Sequence, residues 1–244
     1  MAFGEGAALG IEGIETEGPN TVEWNGYQLV NASVADTVRW LRSVVTERGY
    51  QRLSFTSAHS FHLAEHDPYY ATALRRMDGL LPDGSGVAVV TRDTGPRPFV
   101  RLRASQLVPR LLRNLPSSTR VFLLGANSTT ARNLASNLGD TWPHLTLVGN
   151  EGSQFEAWES ANMVNRINAS QPDIVIVGMD APRQEQWMDR HAATIHAPLV
   201  LGVGGLFAFM ANHAFDGAMQ STYRGSRDPW RFHLKGPVGN GLSF

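Results

Sequence analysis

Short apolar runs of strand length alternate with amphipathic stretches along most of the chain. Residues 22–30 predict a hairpin, because Asn25-Gly26 suits a tight turn between two strands. Continuous apolar runs predict further strands at residues 52–56, 79–81, 120–124, 145–148, 173–177 and 199–203. Apolar positions spaced three and four apart predict helices at residues 33–47, 61–76, 86–92, 105–115, 128–138, 157–169 and 183–193.

This alternation of strand and helix predicts an α/β fold of Rossmann-like type, with a mostly parallel sheet and helices on both faces. We expect one such domain over residues 21–215, after a disordered leader at residues 1–20. Residues 1–20 lack a basic segment followed by an apolar stretch, so a signal peptide is not expected there. Apolar periodicity is lost from Asp216 onward, which indicates an irregular C-terminal appendage over residues 216–244.

Composition narrows the classes of function. The net charge of -1 gives no general attraction to nucleic acid, so no nucleic-acid partner is expected. The absence of cysteine excludes disulfides and thiolate metal sites and suits a cytoplasmic protein. No DxD motif is present and the eight histidines show no clear ligand spacing, so no metal ion is expected.

Polar turns follow the first two strands after the hairpin, at the edge of an open α/β sheet where ligands bind. Thr56 and Ser57 follow one strand, and Asp83 lies in a Pro-Asp-Gly turn after the next. Such hydroxyls can cap a helix or bind a sugar hydroxyl. The carboxylate can stabilise a turn or act as a general base. Taken singly, each turn favours the structural role.

Three later turns combine glycine with polar residues. The first contains Gly125, the second contains Gly178, Pro182, Gln184 and Glu185, and the third contains Gly204 and Gly205. Glycine lets backbone approach a ligand closely, and amides at a helix start can receive a phosphate. Gln184 and Glu185 would lie at a helix start, where they could contact uracil or ribose. An acid there also compensates the helix dipole. No GxGxxG or Walker A sequence is present, which argues against a dinucleotide cofactor and against a P-loop.

Together and in this order, the turns resemble the WecG/TagA/CpsF glycosyltransferases over residues 22–209. The matching segments are Thr56-Ser57-Ala58, Pro82-Asp83-Gly84-Ser85-Gly86, Val100-Arg101-Leu102, Leu124-Gly125, Ala181-Pro182-Arg183-Gln184-Glu185 and Gly202-Val203-Gly204-Gly205-Leu206-Phe207. The Pro-Asp-Gly-x-Gly and Pro-x-Gln-Glu pair is the most specific part of the resemblance.

The resemblance implies inverting, metal-independent transfer from a UDP-sugar, without a cofactor, in cell-surface polysaccharide synthesis such as that of teichoic acid. Typical members transfer N-acetylmannosamine to polyprenyl-diphosphate-linked N-acetylglucosamine, and others transfer glucose, galactose or mannosaminuronic acid. It assigns catalysis to Asp83, as general base, and to Thr56, its neighbour in the acceptor pocket. Ser57 would bind substrate, and Arg101 would contact the diphosphate. The glycine turns with Pro182, Gln184 and Glu185 would hold UDP.

A lipid-linked acceptor implies a cytoplasmic enzyme that is peripheral at the inner face of the plasma membrane. In the appendage Arg224, Arg227 and Arg231 interleave with aromatic residues, which suits a membrane surface or contact with the substrate diphosphate. The alternative is a frayed, solvated tail. Self-association into a homo-oligomer stays open.

Departures from the family pattern sustain a second hypothesis. The family's usual residues are replaced by Ala58, Ala208 and Asp216, which allows a catalytically weak member that binds a nucleotide sugar or a partner subunit. An unrelated NAD-dependent enzyme is disfavoured, because the glycine fingerprint for a dinucleotide is absent.

Overall fold

The computed structural model describes residues 18–84, 87, 100–125, 127–152, 155 and 160–212. Most of the expected leader and the whole appendage, with Arg224, Arg227 and Arg231, lie outside these residues. The helix predicted at residues 86–92 also lies outside them, apart from residue 87.

The strands and helices alternate as the sequence predicts. The strands are β1 (Thr21–Trp24), β2 (Tyr27–Val30), β3 (Gln51–Thr56), β4 (Gly79–Pro82), β5 (Arg120–Gly125), β6 (Thr146–Glu151), β7 (Ile174–Gly178) and β8 (Leu199–Gly202). The described helices are α1 (Val34–Thr46), α2 (Ala58–His66), α3 (Pro68–Arg75), α4 (Ala104–Asn114), α5 (Ser128–Thr141), α6 (Ser160–Ala169), α7 (Arg183–Arg190) and α8 (Leu206–Asn212).

The described strands form one eight-stranded sheet in the order β1-β2-β4-β3-β8-β7-β5-β6. Only the edge pair β1–β2 is antiparallel; the other pairings among them are parallel. Helices α1, α4, α5 and α8 pack on one face, and α2, α3, α6 and α7 pack on the other. Covered on both faces, β4, β7 and β8 are buried at every residue. The predicted Rossmann-like α/β fold is confirmed.

Local chemistry explains several of the element boundaries. Asn25 and Gly26 both have positive φ angles, 50° and 79°, as a two-residue hairpin turn of this hand requires. Ser33 Oγ accepts a hydrogen bond from the Asp36 amide at 3.1 Å and so caps α1. Asn127 caps α5 in the same way, through its Oδ1.

Several elements differ from the sequence prediction. Helix α2 begins at Ala58 rather than at residue 61, because Ser57 is its extended N-cap and Ser60 Oγ accepts from the Ser57 amide. Helix α7 ends at Arg190 and continues as turns, short of residue 193. Helix α8 was not predicted, because it begins directly after a glycine-rich turn and runs for only 7 residues.

The ends of β5 and β7 are in direct backbone contact. Gly125 lies opposite Gly178 in the parallel register. A Cβ atom at position 125 would lie 2.2 Å from the Gly178 carbonyl oxygen, and the φ angle of Gly125 is +149°. Both the space and the backbone conformation therefore require glycine at this position.

None of the described helices combines the length and the apolar character that crossing a membrane requires.

Replacing Gly125 by alanine should destabilise the protein by about 1–3 kcal/mol, as overpacking against an immobile backbone does. The matched control is Gly139→Ala in α5, where a new Cβ meets nothing within 4 Å. That change should stabilise by roughly 0.5–1 kcal/mol, because alanine favours a helix over glycine. Urea denaturation measures both, and equal stability of the two variants would contradict the close contact at Gly125.

Candidate active site

The carboxyl ends of β3 and β4 bring Thr56 and Asp83 side by side. The two strands run parallel with Thr56 opposite Pro82. The Asp83 amide donates a hydrogen bond to the Thr56 carbonyl oxygen at 2.8 Å. The two residues that the sequence assigns to catalysis are therefore neighbours at the edge of the sheet where ligands of such folds bind.

The Asp83 carboxylate is also tied to the start of α4. Its Oδ2 accepts a hydrogen bond from the amide of Ala104, the first residue of that helix, at 3.3 Å. Partial positive charge at a helix start suits an anionic side chain. Asp83 is half-buried. The structural role that the sequence allows for Asp83 is thus present, and it holds the carboxylate in a defined place at the sheet edge.

Arg101 reaches the same region through the segment that precedes α4. The Leu102 amide donates to the Pro82 carbonyl oxygen at 2.8 Å, next to the Asp83 turn. Arg101 itself is exposed. This backbone bond places Arg101 near the end of β4, although Pro82 and Arg101 are 19 positions apart in the sequence.

Thr56 carries an unsatisfied hydroxyl at this edge. Its side chain is 1% exposed, and Oγ1 has no hydrogen-bond partner among the described residues. A buried hydroxyl without a partner costs about 1–3 kcal/mol, so such groups in native proteins call for a partner. Ser57 beside it is half-buried and is the N-cap of α2.

The turns after β7 and β8 are joined by the side chain of Gln184. Its Oε1 accepts hydrogen bonds from the Gly204 amide at 2.8 Å and from the Met179 amide at 3.4 Å. Gly204 has a positive φ angle of 53°, and Gly204 and Gly205 are half-buried. The Gln184 side chain is 2% exposed, and its hydrogen bonds fix the backbone of the turns after β7 and β8 from the protein interior.

A buried polar network surrounds Gln184. Ser54 Oγ donates to Glu185 Oε1 at 2.6 Å. Gln184 Nε2 lies 2.7 Å from the same Glu185 oxygen and 3.1 Å from Ser54 Oγ. Glu185 is 2% exposed, so the described contacts of both α7 side chains are with protein groups rather than with the open edge.

Burial raises the pKa of the Glu185 carboxyl, and hydrogen bonds from Ser54 and Gln184 offset part of the rise. Tyr70 lies nearby on α3. Burial, and next the Glu185 charge, raises the pKa of its hydroxyl. Neither Tyr70 Oη nor Glu185 Oε2 has a hydrogen-bond partner of normal geometry among the described residues. The network is therefore compact but incompletely satisfied.

Sequence analysis did not single out Ser54 or Tyr70. Ser54 shares a face of β3 with Thr56, because alternate strand residues point the same way, and this spacing was an available signal. Tyr70 gave no such signal. Pro182 is the residue just before α7 and follows a cis peptide bond.

The structure gathers the predicted site residues into two neighbouring groups. Thr56, Ser57, Asp83 and Arg101 lie at the ends of β3 and β4, and Gly125, Gly178, Pro182, Gln184, Glu185, Gly204 and Gly205 lie at the ends of β5, β7 and β8. β3 and β8 are adjacent, so the two groups share one edge of the sheet. The three appendage arginines lie outside the described residues.

Comparison with known proteins supports the family resemblance seen in the sequence. Residues 22–232 match the family model described as "Glycosyl transferase WecG/TagA/CpsF family". The chain is similar to N-acetylglucosaminyldiphosphoundecaprenol N-acetyl-beta-D-mannosaminyltransferases of Staphylococcus aureus strains NCTC 8325 / PS 47, COL and MSSA476. Each is 26% identical over 137 residues, which cover 56% of this chain and 53% of the relative. The chain thus matches about half the length of these curated relatives.

Replacing Glu185 by glutamine should stabilise the protein increasingly as the pH rises above 4.5, the ordinary pKa of the carboxyl. Above that pH the unfolded chain releases its proton before the folded protein does. The free energy of unfolding of the wild type therefore falls as the pH rises from the pKa of the unfolded chain to the raised pKa of the folded protein. The total loss is about 1.4 kcal/mol for each pH unit between these two pKa values. The glutamine has no such proton to lose, and its oxygen can accept the bonds from Ser54 and Gln184.

Thermal denaturation of wild type and Glu185→Gln between pH 4 and pH 8 measures the difference. Glu47→Gln, at an exposed position, controls for the loss of one carboxyl group. A stability difference that stays constant with pH would contradict a raised pKa for Glu185.

Proposed function

Because the chain belongs to the WecG/TagA/CpsF glycosyltransferase family, we propose that it transfers a sugar from a UDP-sugar to a polyprenyl-diphosphate-linked sugar, without a metal ion. The named relatives add N-acetylmannosamine to N-acetylglucosaminyldiphosphoundecaprenol, and we propose this or a related hexose for this chain. The observation that carries the proposal is the Asp83 carboxylate, held by backbone bonds beside Thr56 at the sheet edge.

Asp83 acts as the general base. A sugar hydroxyl is a poor nucleophile at neutral pH, so removal of its proton in the transition state accelerates attack. The acceptor oxygen then bonds to the anomeric carbon while the bond from that carbon to the UDP oxygen breaks. This single displacement inverts the anomeric centre. Thr56 lies beside this base in the acceptor pocket, and its carbonyl oxygen holds the Asp83 amide.

The donor binds over the turns after β5, β7 and β8. Gly204 and Gly205 are half-buried and let the nucleotide approach the backbone closely. Gly125 and Gly178 serve the site indirectly, because the space beside them is filled by the Gly178 backbone and by the Phe207 ring. Gln184 contributes indirectly, because it holds the Gly204 and Met179 amides and so sets the shape of the turns. Glu185 contributes in the same way through Ser54 and Gln184.

The departing UDP is stabilised by protein cations rather than by a metal ion. Arg101 is exposed beside the Asp83 turn, and a guanidinium matches the geometry of phosphate oxygens. Arg224, Arg227 and Arg231 would add to this charge at the diphosphate or at the membrane surface. Because the acceptor stays in the bilayer, the protein acts at the inner face of the plasma membrane as a peripheral enzyme.

The alternative is a catalytically weak member of the family that binds a nucleotide sugar. It is motivated by Ala58, which follows Ser57 at the first position of α2 and offers no polar side chain to a ligand. Binding of UDP-sugar without release of UDP in the presence of acceptor would support this alternative.

Replacing Asp83 by asparagine should lower the transfer rate about 10²–10⁴-fold, the usual effect of losing a general base. The amide oxygen of asparagine can still accept the bond from Ala104, so folding and UDP affinity should be nearly unchanged. Asp140→Asn, at an exposed position of α5, is the matched control and should retain full activity. A variant at position 83 with more than half of wild-type turnover would show that Asp83 serves only the turn and the helix start.

UDP binding should persist when divalent cations are removed. Isothermal titration calorimetry with UDP in excess EDTA should give the same affinity as titration with added Mg²⁺. The reason is that Arg101 and the backbone amides of the turns supply the positive charge and the hydrogen-bond donors for the UDP diphosphate. Arg101→Gln should weaken UDP binding in both buffers. Loss of binding in EDTA alone would contradict the metal-independent mechanism.

A further inference from the structure

Three exposed side chains converge on one face of α2, away from the strand ends. His62, Glu65 and His66 stand three and four residues apart, the spacing that makes neighbours on a helix. Each offers one ligand atom, and these atoms lie within 4.8 Å of one another. We propose that this group binds a divalent transition-metal ion, with Zn²⁺ as the ion that its donors suit best.

The tautomer of His66 is already set for metal binding. Its Nδ1 lies 2.9 Å from the carbonyl oxygen of His62. A carbonyl oxygen can only accept, so Nδ1 carries the proton and the Nε2 lone pair is free to bind a metal ion. Metal-bound histidines usually donate their other ring N–H to a carbonyl or carboxylate in this manner.

The remaining distances need only small changes in exposed side chains. His62 Nδ1 lies 3.7 Å from Glu65 Oε2, and the two imidazole rings meet edge to face with centroids 4.9 Å apart. Zinc binds imidazole nitrogen and carboxylate oxygen at about 2.0–2.2 Å and takes four ligands. One ion between the three side chains, with water as the fourth ligand, satisfies these requirements.

Stability alone gives little reason for the cluster. The His62 and Glu65 side chains are 67% and 73% exposed, so the contact between them contributes little to stability. Two imidazole nitrogens and one carboxylate oxygen are instead a donor set typical of zinc sites.

The cluster is separate from the proposed catalytic centre. Glu65 lies seven residues beyond Ala58, and thus roughly 10 Å along the helix axis from the strand ends. Directly after it, Asp67 caps α3 through Oδ1 and accepts from Gln186 of α7 through Oδ2. All three ligands lie on α2, so a metal ion bound there would stabilise the last turn of this helix rather than act on the sugar.

The sequence did not predict this site, because the eight histidines show no clear ligand spacing along the chain. The helix instead brings His62 next to His66, one full turn on, and adds Glu65 between them.

Isothermal titration calorimetry of the full chain with ZnCl₂, in buffer without phosphate, tests the proposal. The wild type should bind one Zn²⁺ with defined stoichiometry, and EDTA should reverse the binding. His62→Gln, Glu65→Gln and His66→Gln should each weaken this binding about 10- to 100-fold or more, the loss that even an outer-shell change causes in metal sites. All three positions are exposed, so the metal-free variants should melt at the wild-type temperature.

His196→Gln is the matched control, since it removes an exposed histidine elsewhere on the surface and should leave the affinity unchanged. Titration with Co²⁺ adds a second readout, because its visible absorption spectrum reports imidazole coordination. Wild-type affinity for Zn²⁺ in the double variant His62→Gln/His66→Gln would overturn the proposal. So would an equal loss of affinity in His196→Gln.

Discussion

The Gln184 side chain occupies space that exists only because position 202 is glycine. A Cβ atom there would lie 2.6 Å from Gln184 Nε2 and 2.9 Å from Ser54 Oγ. The amide that fills this space holds the turn after β7 to the turn after β8, and it meets β3 through Ser54. We call these contacts among Gln184, Ser54 and the backbone at Gly202 the interlock. The relative placement of three strand ends depends on it, and so does the binding of any ligand proposed there.

The interlock places polar groups where a sheet of this class is otherwise apolar. A buried polar group is tolerated only when it is hydrogen-bonded. Removing one partner leaves the other group buried without a hydrogen bond, so the full free-energy cost of its desolvation is no longer offset. Gln184, Glu185 and Ser54 satisfy most of one another's hydrogen-bonding capacity. The result is a rigid base beneath the glycine turns, which suits a site that must hold a nucleotide in one orientation.

At the neighbouring strand ends the arrangement differs. Asp83 is held by its own backbone and by the start of α4, whereas the Thr56 hydroxyl is buried without a described partner. Because β3 and β8 are adjacent, the two halves of the edge can serve a donor and an acceptor side by side.

Much of the fold could be predicted from local pattern, since apolar runs such as that of β7 and a cap such as Ser33 act over a few residues. The turn residues of the site were likewise visible in the sequence. The role of Gln184 and Glu185 was not, because their partner Ser54 lies about 130 positions away and the contact exists only after the sheet forms. Helix α8 was missed for a local reason: a glycine-rich start and only 7 residues give little periodic signal.

Acceptor-dependent release of UDP tests the proposed glycosyl transfer most directly. The full chain is incubated with UDP-N-acetylmannosamine, or with UDP-linked hexoses in parallel, and with a polyprenyl-diphosphate N-acetylglucosamine acceptor in detergent. Mass spectrometry of the lipid and assay of UDP follow the reaction. A lipid carrying one added sugar, with one UDP released for each, is the predicted result. Tight binding of a UDP-sugar with no added sugar on any acceptor, and no UDP beyond the rate without acceptor, would contradict it.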